Sequence, residues 1–271
     1  MTNDIYILAI ESSCDDTSAA VLRGIAPDGG LYIDPALGQR PFDWRECLTL
    51  SALGMAEKIL AHLLPGYADM GALVARAYAG KFETEDLTPL VQVGEDYVLE
   101  LFRGPTAAFK DVALSMLPQL VTAARAQEGV QDKIVILTAT SGDTGKAALE
   151  GFKDVDGTKI MVFYPNDGVS PMQKLQMTTQ EGGNVAVCAI NGNFDDAQNG
   201  VKSIFTDKAV AANLAAHGMM FSSANSINWG RLVPQIVYYF SAYADLRKRG
   251  RISAGEKVNF TVPTGNFGNI L

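Results

Sequence analysis

The sequence predicts a doubly wound α/β fold, in which helices cover both faces of a parallel sheet. From about residue 97 onward, short runs rich in β-branched residues alternate with stretches of helical spacing. Glycine-containing loops follow several of the predicted strands. With 271 residues, 48% hydrophobic and only 19% charged, the chain can also bury a large core.

The elements follow from these alternations. We predict strands at 97–102, 133–138, 160–164, 184–190 and 258–262. The helices between them are predicted at 109–126, 144–152, 171–179, 194–205 and 229–249. Residues 43–82 have helical spacing without strand signals, which predicts a small helical cap with helices at 44–55, 56–64 and 70–78.

The chain divides into three predicted parts. Residues 1–22 form an atypical amino-terminal segment, 23–96 a mostly helical domain, and 97–271 an incomplete α/β region. The strand pattern at 258–262 is followed at once by a glycine loop and the last residue, Leu271. Since such a loop normally opens into a helix, we expect a truncated chain.

Charge and composition exclude several classes of function. A formal charge of -8 argues against binding of nucleic acid or an anionic membrane. Cys14, Cys47 and Cys188 are widely spaced, and the histidines His62 and His217 are far apart, so we predict neither a disulfide framework nor a metal site. Without a signal peptide or an apolar run of about 18 residues, a cytoplasmic location is expected.

The first candidate site is Lys110, in the segment GPTAAFKD at 104–111. The segment joins a predicted strand to a helix, where ligands of open α/β sheets bind. The helix dipole, together with desolvation by Phe109 and Val112, should lower the pKa of the amine and prepare it for carbonyl chemistry. The alternative is an ordinary surface lysine beside Asp111.

A second loop, TATSGDTG at 138–145, also runs from strand to helix. Its glycines allow backbone amides to approach a ligand, and its hydroxyls add donors, so an anion such as an amino-acid carboxylate fits. The alternative is a plain helix cap formed by Ser141 or Asp143.

Two further segments could bind a phosphate. Residues 265–269, GNFGN, suit a nest of amides, although they lack the lysine and serine or threonine of a nucleotide-triphosphate loop. Residues 225–231, NSINWGR, precede a long helix and supply a guanidinium, Arg231, for bidentate phosphate binding. Alternatively, the asparagines only cap the helix and Arg231 is solvated.

Taken together and in this order, these motifs resemble threonine synthase. The matching segments are LRGIAPDGGLY at 22–32, GPTAAFKDVAL at 104–114, TATSGDTGKAA at 138–148, NSINWGRLVPQ at 225–235 and PTGNFGN at 263–269. The resemblance covers nearly everything from residue 22 to the end. It implies the tryptophan-synthase-β-like fold of pyridoxal-phosphate (PLP) enzymes, with Lys110 as the lysine that holds the cofactor in a Schiff base.

The resemblance also implies roles for the loops. The cofactor phosphate would be held by Gly265, Asn266, Phe267, Gly268 and Asn269. The substrate would be bound by Thr140, Ser141, Gly142, Asp143, Thr144, Asn225, Asn228 and Arg231.

The implied reaction converts O-phospho-L-homoserine and water to L-threonine and phosphate. Three alternatives remain open: another PLP enzyme of this fold such as a threonine or serine dehydratase, a non-catalytic binder of phosphate ligands, and an inactive fragment. The sequence does not determine the oligomeric state.

The amino-terminal segment departs from this family. Residues 5–21, and above all ILAIESSCDDT at 7–17, resemble the start of the tRNA threonylcarbamoyladenosine-forming ATPases. The histidine pair with metal-ligand spacing expected in that family is absent, since His62 and His217 are far apart. That ATPase activity is therefore a remote alternative.

Overall fold

A computed structural model describes residues 11–13, 17–26 and 30–262. The elements in these residues are β1 (Glu11–Ser13), α1 (Thr17–Arg23), β2 (Leu31–Ile33), a 3-10 helix (Trp44–Thr49), α2 (Ala52–Leu63), α3 (Met70–Tyr78), β3 (Leu90–Val93), β4 (Asp96–Leu99), α4 (Asp111–Gln127), β5 (Lys133–Ala139), α5 (Asp143–Phe152), β6 (Thr158–Pro165), α6 (Pro171–Thr178), β7 (Val185–Ile190), α7 (Phe194–Thr206), α8 (Lys208–Ala216), β8 (Met219–Ser223), α9 (Trp229–Leu232), a 3-10 turn (Val233–Gln235) and α10 (Ile236–Lys248).

The predicted α/β class is confirmed by a four-stranded parallel sheet in the order β7-β6-β5-β8. Three of its strands are those predicted at 133–138, 160–164 and 184–190, with small shifts at the ends. The fourth, β8, was not predicted, because its sequence MMFSS is short and lacks β-branched residues. The carboxyl ends of parallel strands meet at one edge of the sheet, so the loops after β5 and β8 lie side by side.

The strand predicted at 97–102 is present in part, as β4, but lies outside the parallel sheet, and the strand predicted at 258–262 is wrong. Among the described residues, β4 pairs with β3 alone, in an antiparallel hairpin turned at Gly94, where φ is 63°. Residues 258–262 form no strand. Val258 instead packs beside Leu90 and Leu246, and the ring of Phe260 lies 5.0 Å from that of Tyr239, while residues 259–261 are exposed.

Most predicted helices are present, but those predicted at 44–55 and 56–64 are instead a 3-10 helix at Trp44–Thr49 and the single helix α2, and α8 was not predicted. Helices α2 and α3 begin where Ser51 and Asp69 accept hydrogen bonds from the amides of Gly54 (3.2 Å) and Ala72 (3.0 Å). The helix predicted at 229–249 is divided into α9, a 3-10 turn and α10 at Pro234, which has no N–H to donate. Among the described residues, no helix is long and apolar enough to cross a membrane.

Helix α4 is the centre of the hydrophobic core. It packs against α1, α3, α5 and α9, and its residues Leu114, Leu117 and Leu120 are fully buried. One continuous hydrophobic cluster contains residues from before and after position 96. The predicted domain boundaries at 22 and 96 stay predictions. Because α4 is held on all sides, its first turn is a rigid platform for Lys110.

A close contact between α4 and α5 depends on a proline and a glycine. Pro118 lies inside α4 and cannot donate a hydrogen bond to the carbonyl of Leu114, one turn earlier. Gly151 of α5 approaches that carbonyl so closely that an added Cβ would lie 2.0 Å from the Leu114 oxygen. Only glycine fits between these two backbones.

We expect the substitution Gly151→Ala to lower the free energy of unfolding by about 1–3 kcal/mol, because the two helices must separate to admit the methyl group. The matched control is Gly200→Ala in α7, where an added Cβ meets nothing within 4 Å. The control should gain up to about 1 kcal/mol from helix propensity. Urea unfolding of the three proteins measures both effects, and equal midpoints for Gly151→Ala and the unsubstituted chain would contradict the packing argument.

Candidate functional site

The Lys110 side chain connects the beginnings of two helices. Lys110 is the N-cap residue of α4, and its Nζ donates a hydrogen bond to Thr144 Oγ1 in the first turn of α5 at 2.6 Å. The amine also lies 5.2 Å from the centre of the Phe109 ring. The alternative of a surface lysine beside Asp111 is therefore wrong, since the amine is turned inward and the carboxylate of Asp111 has other partners.

Burial, together with the nearby positive charges of Arg231 and Lys146, lowers the pKa of Lys110 to about 8. Burial is the largest of these causes, and Asp143 acts in the opposite direction. An amine with this pKa is easily freed of its proton near neutral pH, which is the state that attacks a carbonyl carbon. The sequence predicted a lowered pKa for this amine, and desolvation and the neighbouring positive charges produce it.

The loop before α5 is organised by Thr140. Its Oγ1 accepts hydrogen bonds from the amides of Gly142 (2.9 Å) and Gly145 (2.8 Å). Gly142 has φ 139°, and an added Cβ would lie 2.3 Å from Gln173 Oε1, so only glycine fits. The alternative of a cap formed by Ser141 or Asp143 is wrong, because Gly142 is the N-cap residue and Thr140 supplies the oxygen.

Lys146 is a charged residue of the site that the sequence analysis missed. It is 7% exposed, and its Nζ lies 3.3 Å from Asp143 Oδ1. Gln173 of α6 donates from Nε2 to the same oxygen at 2.8 Å. The spacing of three residues between Asp143 and Lys146 places them on one face of α5 and was a signal available in the sequence.

The two predicted asparagines bind backbone groups. Asn225 exchanges hydrogen bonds with the backbone of Ala139 at the end of β5, accepting from its amide (3.2 Å) and donating to its carbonyl (2.8 Å). Asn228 is fully buried and donates to the carbonyls of Val21 and Ser223, both at 2.9 Å. It also caps α9, as the alternative interpretation held, and its contact with substrate, like that of Asn225, stays a prediction.

Arg231 is a buried cation, so the alternative of a solvated side chain is wrong. It is 1% exposed, and burial lowers the pKa of its guanidinium to about 10. Its Nη1 donates to Gln235 Oε1. Within the described residues, no carboxylate pairs with Arg231 and its buried Nε has no hydrogen-bond partner. A buried charge without a counter-charge is costly, so this position favours an anionic ligand.

Some predicted features lie outside the described residues. Gly265, Asn266, Phe267, Gly268 and Asn269 are among these, and their role in holding the cofactor phosphate stays a prediction. Of the ATPase-like segment at 7–17, only 11–13 and Thr17 are described. In the described part of the chain, no three His, Cys, Asp or Glu side chains are grouped so as to bind a metal ion.

The chain is similar to known proteins over nearly its whole length. A threonine synthase from Pseudomonas aeruginosa is 40% identical over 258 residues, which cover 93% of this chain and 52% of the relative. Human threonine synthase-like 1 is 37% identical over 270 residues, covering 94% of this chain and 36% of the relative. No protein-family model matches the chain.

Solved structures show the same similarity. The PLP-bound threonine synthase from Brucella melitensis matches with a TM-score of 0.79 and 41% identity, covering 94% of this chain and 53% of that one. The threonine synthase from Escherichia coli matches with a TM-score of 0.73 and 34% identity, covering 85% and 51%. The chain thus spans about a third to a half of the length of these relatives.

The fold and the lysine-centred site define a tryptophan-synthase-β-like α/β protein, the fold type of one large group of PLP enzymes. Within that group the similarity is specific. Over the part of their length that it spans, the chain is similar to threonine synthases, with 40% identity to the Pseudomonas aeruginosa protein and 41% to the Brucella melitensis structure.

We expect the amine of Lys110 to react with an amine-acylating reagent with a pH midpoint of about 8. The substitution Arg231→Met removes a positive charge that disfavours the protonated amine, so the midpoint should rise. Labelling across pH, with mass spectrometry of the peptide that contains Lys110, measures it. Arg76→Met, at an exposed arginine, is the control and should leave the midpoint unchanged. The same midpoint in Arg231→Met and the unsubstituted protein would disprove the electrostatic coupling.

Proposed function

We propose that the chain binds PLP through Lys110 and serves the conversion of O-phospho-L-homoserine and water to L-threonine and phosphate. One observation carries this proposal: the half-buried Lys110, whose amine has a lowered pKa, lies in the field of a buried arginine that lacks a counter-charge among the described residues. The first feature suits an aldehyde cofactor, and the second suits a phosphorylated substrate.

Among the described residues, Lys110 fits the cofactor, and the residues predicted to hold its phosphate lie outside the described part of the chain. Lys110 would be joined to the aldehyde carbon, and the phosphate would be held by residues 265–269, as predicted from their glycines and asparagines. When bound, PLP supplies an electron sink that stabilises negative charge next to the substrate's amino-bearing carbon. The hydroxyl of Thr144, 2.6 Å from Nζ, orients the amine toward the carboxyl edge of the sheet.

The beginning of α5 is proposed to bind the substrate carboxylate. The first backbone hydrogen bond of this helix is donated by Lys146 to the carbonyl of Gly142 at 3.3 Å. The amides of Asp143 and Thr144 come before it and are not used by the helix, so they are oriented to donate to an anion. The dipole of α5 adds favourable potential at the same point.

Arg231 is proposed to bind the substrate phosphate. O-phospho-L-homoserine carries a carboxylate and a phosphate, and the two proposed anion sites match these two groups. Threonine and serine, the substrates of a dehydratase, carry only the carboxylate and would leave the buried guanidinium of Arg231 uncompensated. The charge of Arg231 therefore favours the synthase reaction over dehydration.

The proton chemistry is assigned to Lys110. An amine with a pKa of about 8 can both accept and return a proton at physiological pH, as stepwise proton movement between substrate carbons requires. Arg231 keeps its proton, and its charge would stabilise the phosphate as it leaves. Burial around Nζ limits exchange of that proton with water.

Mixing the protein with PLP, reducing with borohydride and mapping the modified peptide tests the cofactor assignment. We expect one stable adduct, on Lys110, with a visible absorbance band before reduction. Lys110→Ala should abolish both, because the amine of Lys146, the other lysine of the site, is paired with Asp143 at 3.3 Å. Lys159→Ala, on the exposed face of β6, is the control and should leave both unchanged. A band that survives in Lys110→Ala would reject the assignment.

Phosphate release from O-phospho-L-homoserine, compared with keto-acid formation from threonine, separates synthase from dehydratase. We expect phosphate release and little keto acid. Arg231→Met should lower kcat/KM for the phosphorylated substrate by about 10- to 100-fold, the loss expected for charge-assisted hydrogen bonds of about 1.5–3 kcal/mol. Arg45→Met, at an exposed arginine, should have no effect. Keto acid as the main product would favour the dehydratase.

A further inference from the structure

The carboxylate of Asp111 is buried beside Lys110 and has no part in the chemistry proposed above. It is 3% exposed and accepts three hydrogen bonds from the loop before it. Oδ2 accepts from the amides of Thr106 (2.9 Å) and Ala108 (3.3 Å), and Oδ1 accepts from the Thr106 hydroxyl at 2.5 Å. Residues 104–108 are thus wound around one side chain at the beginning of α4.

The loop has the close contacts and backbone strain that such winding requires. A Cβ added at Gly104 would lie 2.6 Å from Asp111 Cβ, so only glycine can pass this close. Ala107 has φ 54°, a left-handed conformation that non-glycine residues adopt only when their surroundings impose it. Hydrogen bonds on both sides of Ala107 converge on Asp111 and can impose that conformation.

The bonding pattern suits an ionised carboxylate. Burial raises the pKa of Asp111 above its ordinary value, and its hydrogen bonds with Thr106 and Ala108 and the positive charge of Lys146 offset only part of that rise. An ionised carboxylate has about four lone pairs, so it can accept all three of these hydrogen bonds. The negative charge at the beginning of α4 is also favoured by the helix dipole.

We infer that Asp111 is a positioning residue that, through Thr106 and Ala108, fixes the backbone from which Lys110 reaches Thr144. Lys110 directly precedes Asp111 and ends the wound loop, so the loop determines where its side chain begins. Without the three hydrogen bonds, the loop can relax and the amine can move into water. The inference rests on the proposed function only in taking Lys110 as the reactive amine.

The test compares the pH midpoint of Lys110 labelling in four variants. Asp111→Leu has a side chain of similar shape but no atom that can accept from Thr106 or Ala108. Thr106→Val removes only the hydroxyl. Both should move the midpoint upward, toward the ordinary lysine value of ~10.4, with the larger shift in Asp111→Leu. A shift of about one pH unit means a roughly tenfold smaller unprotonated fraction at pH 7.

Two variants separate positioning from general stability. Thr106→Ser keeps the hydroxyl and should retain the midpoint of the unsubstituted protein. Thr122→Val removes a threonine hydroxyl that bonds to the Pro118 carbonyl elsewhere on α4, at 2.8 Å, and should lower thermal stability without moving the midpoint. If Asp111→Leu does not fold, the contrast between Thr106→Val and Thr106→Ser decides.

A folded Thr106→Val protein with an unchanged midpoint overturns the inference, as does an equal shift in Thr122→Val. Failure of the proposed function would give a different experimental result. In that case the unsubstituted protein has the low midpoint but forms no borohydride-stable PLP adduct on Lys110, and the shift in Thr106→Val still supports the positioning role.

Discussion

The site depends on keeping the amine of Lys110 poorly hydrated at a place where positive side chains and helix dipoles add up. The amino ends of α4 and α5 meet at Lys110 and Thr144, and the buried side chains of Arg231 and Lys146 add charge of the same sign. Water would relieve this repulsion if it could enter. The core around α4 prevents that, so the amine gives up its proton easily and anions are attracted to the same place.

The positive potential around Lys110 is local and has the opposite sign to the net charge of the whole chain. The net charge is -8, yet Asp143 is the acid that opposes the cations around Lys110 within the described residues. Asp111 is close by, but its oxygens are directed at Thr106 and Ala108. A protein that is acidic overall can therefore hold a site complementary to a phosphorylated amino acid, because burial and helix ends decide the local field.

Local sequence patterns predicted the frame of the molecule well. In strands β5 to β7 and helices α4 to α7, the spacing of hydrophobic residues is the one that the element itself requires. Packing against neighbouring elements favours the same structure. The failures have a common cause. Strand β8 forms because β5 lies beside it, whereas residues 258–262 form no strand. Of residues 97–102, only 97–99 are in a strand, and they pair with the hairpin partner β3. Local patterns do not reveal such partners.

The same limit applies to the site. Lys110 and the loop at 140–144 were predicted because each lies within a short, distinctive segment. The burial of Arg231 depends on contacts with elements more than 100 residues earlier in the chain, including α4, so the sequence alone left a solvated side chain open. Resemblance to a family supplied the missing long-range information by identifying several segments together.

The position of Asn225 suggests how the proposed anion sites are held at a fixed separation. Its side-chain amide pairs with the backbone of Ala139 one residue before Thr140, so it extends the contact between β5 and β8 past the last paired residues, Leu137 and Ser223. Thr140 organises the carboxylate loop, and the segment after Asn225 leads to Arg231. If Arg231 binds phosphate as proposed, the sheet edge determines the distance between the two anions of the substrate, and therefore the length of carbon chain that can span them.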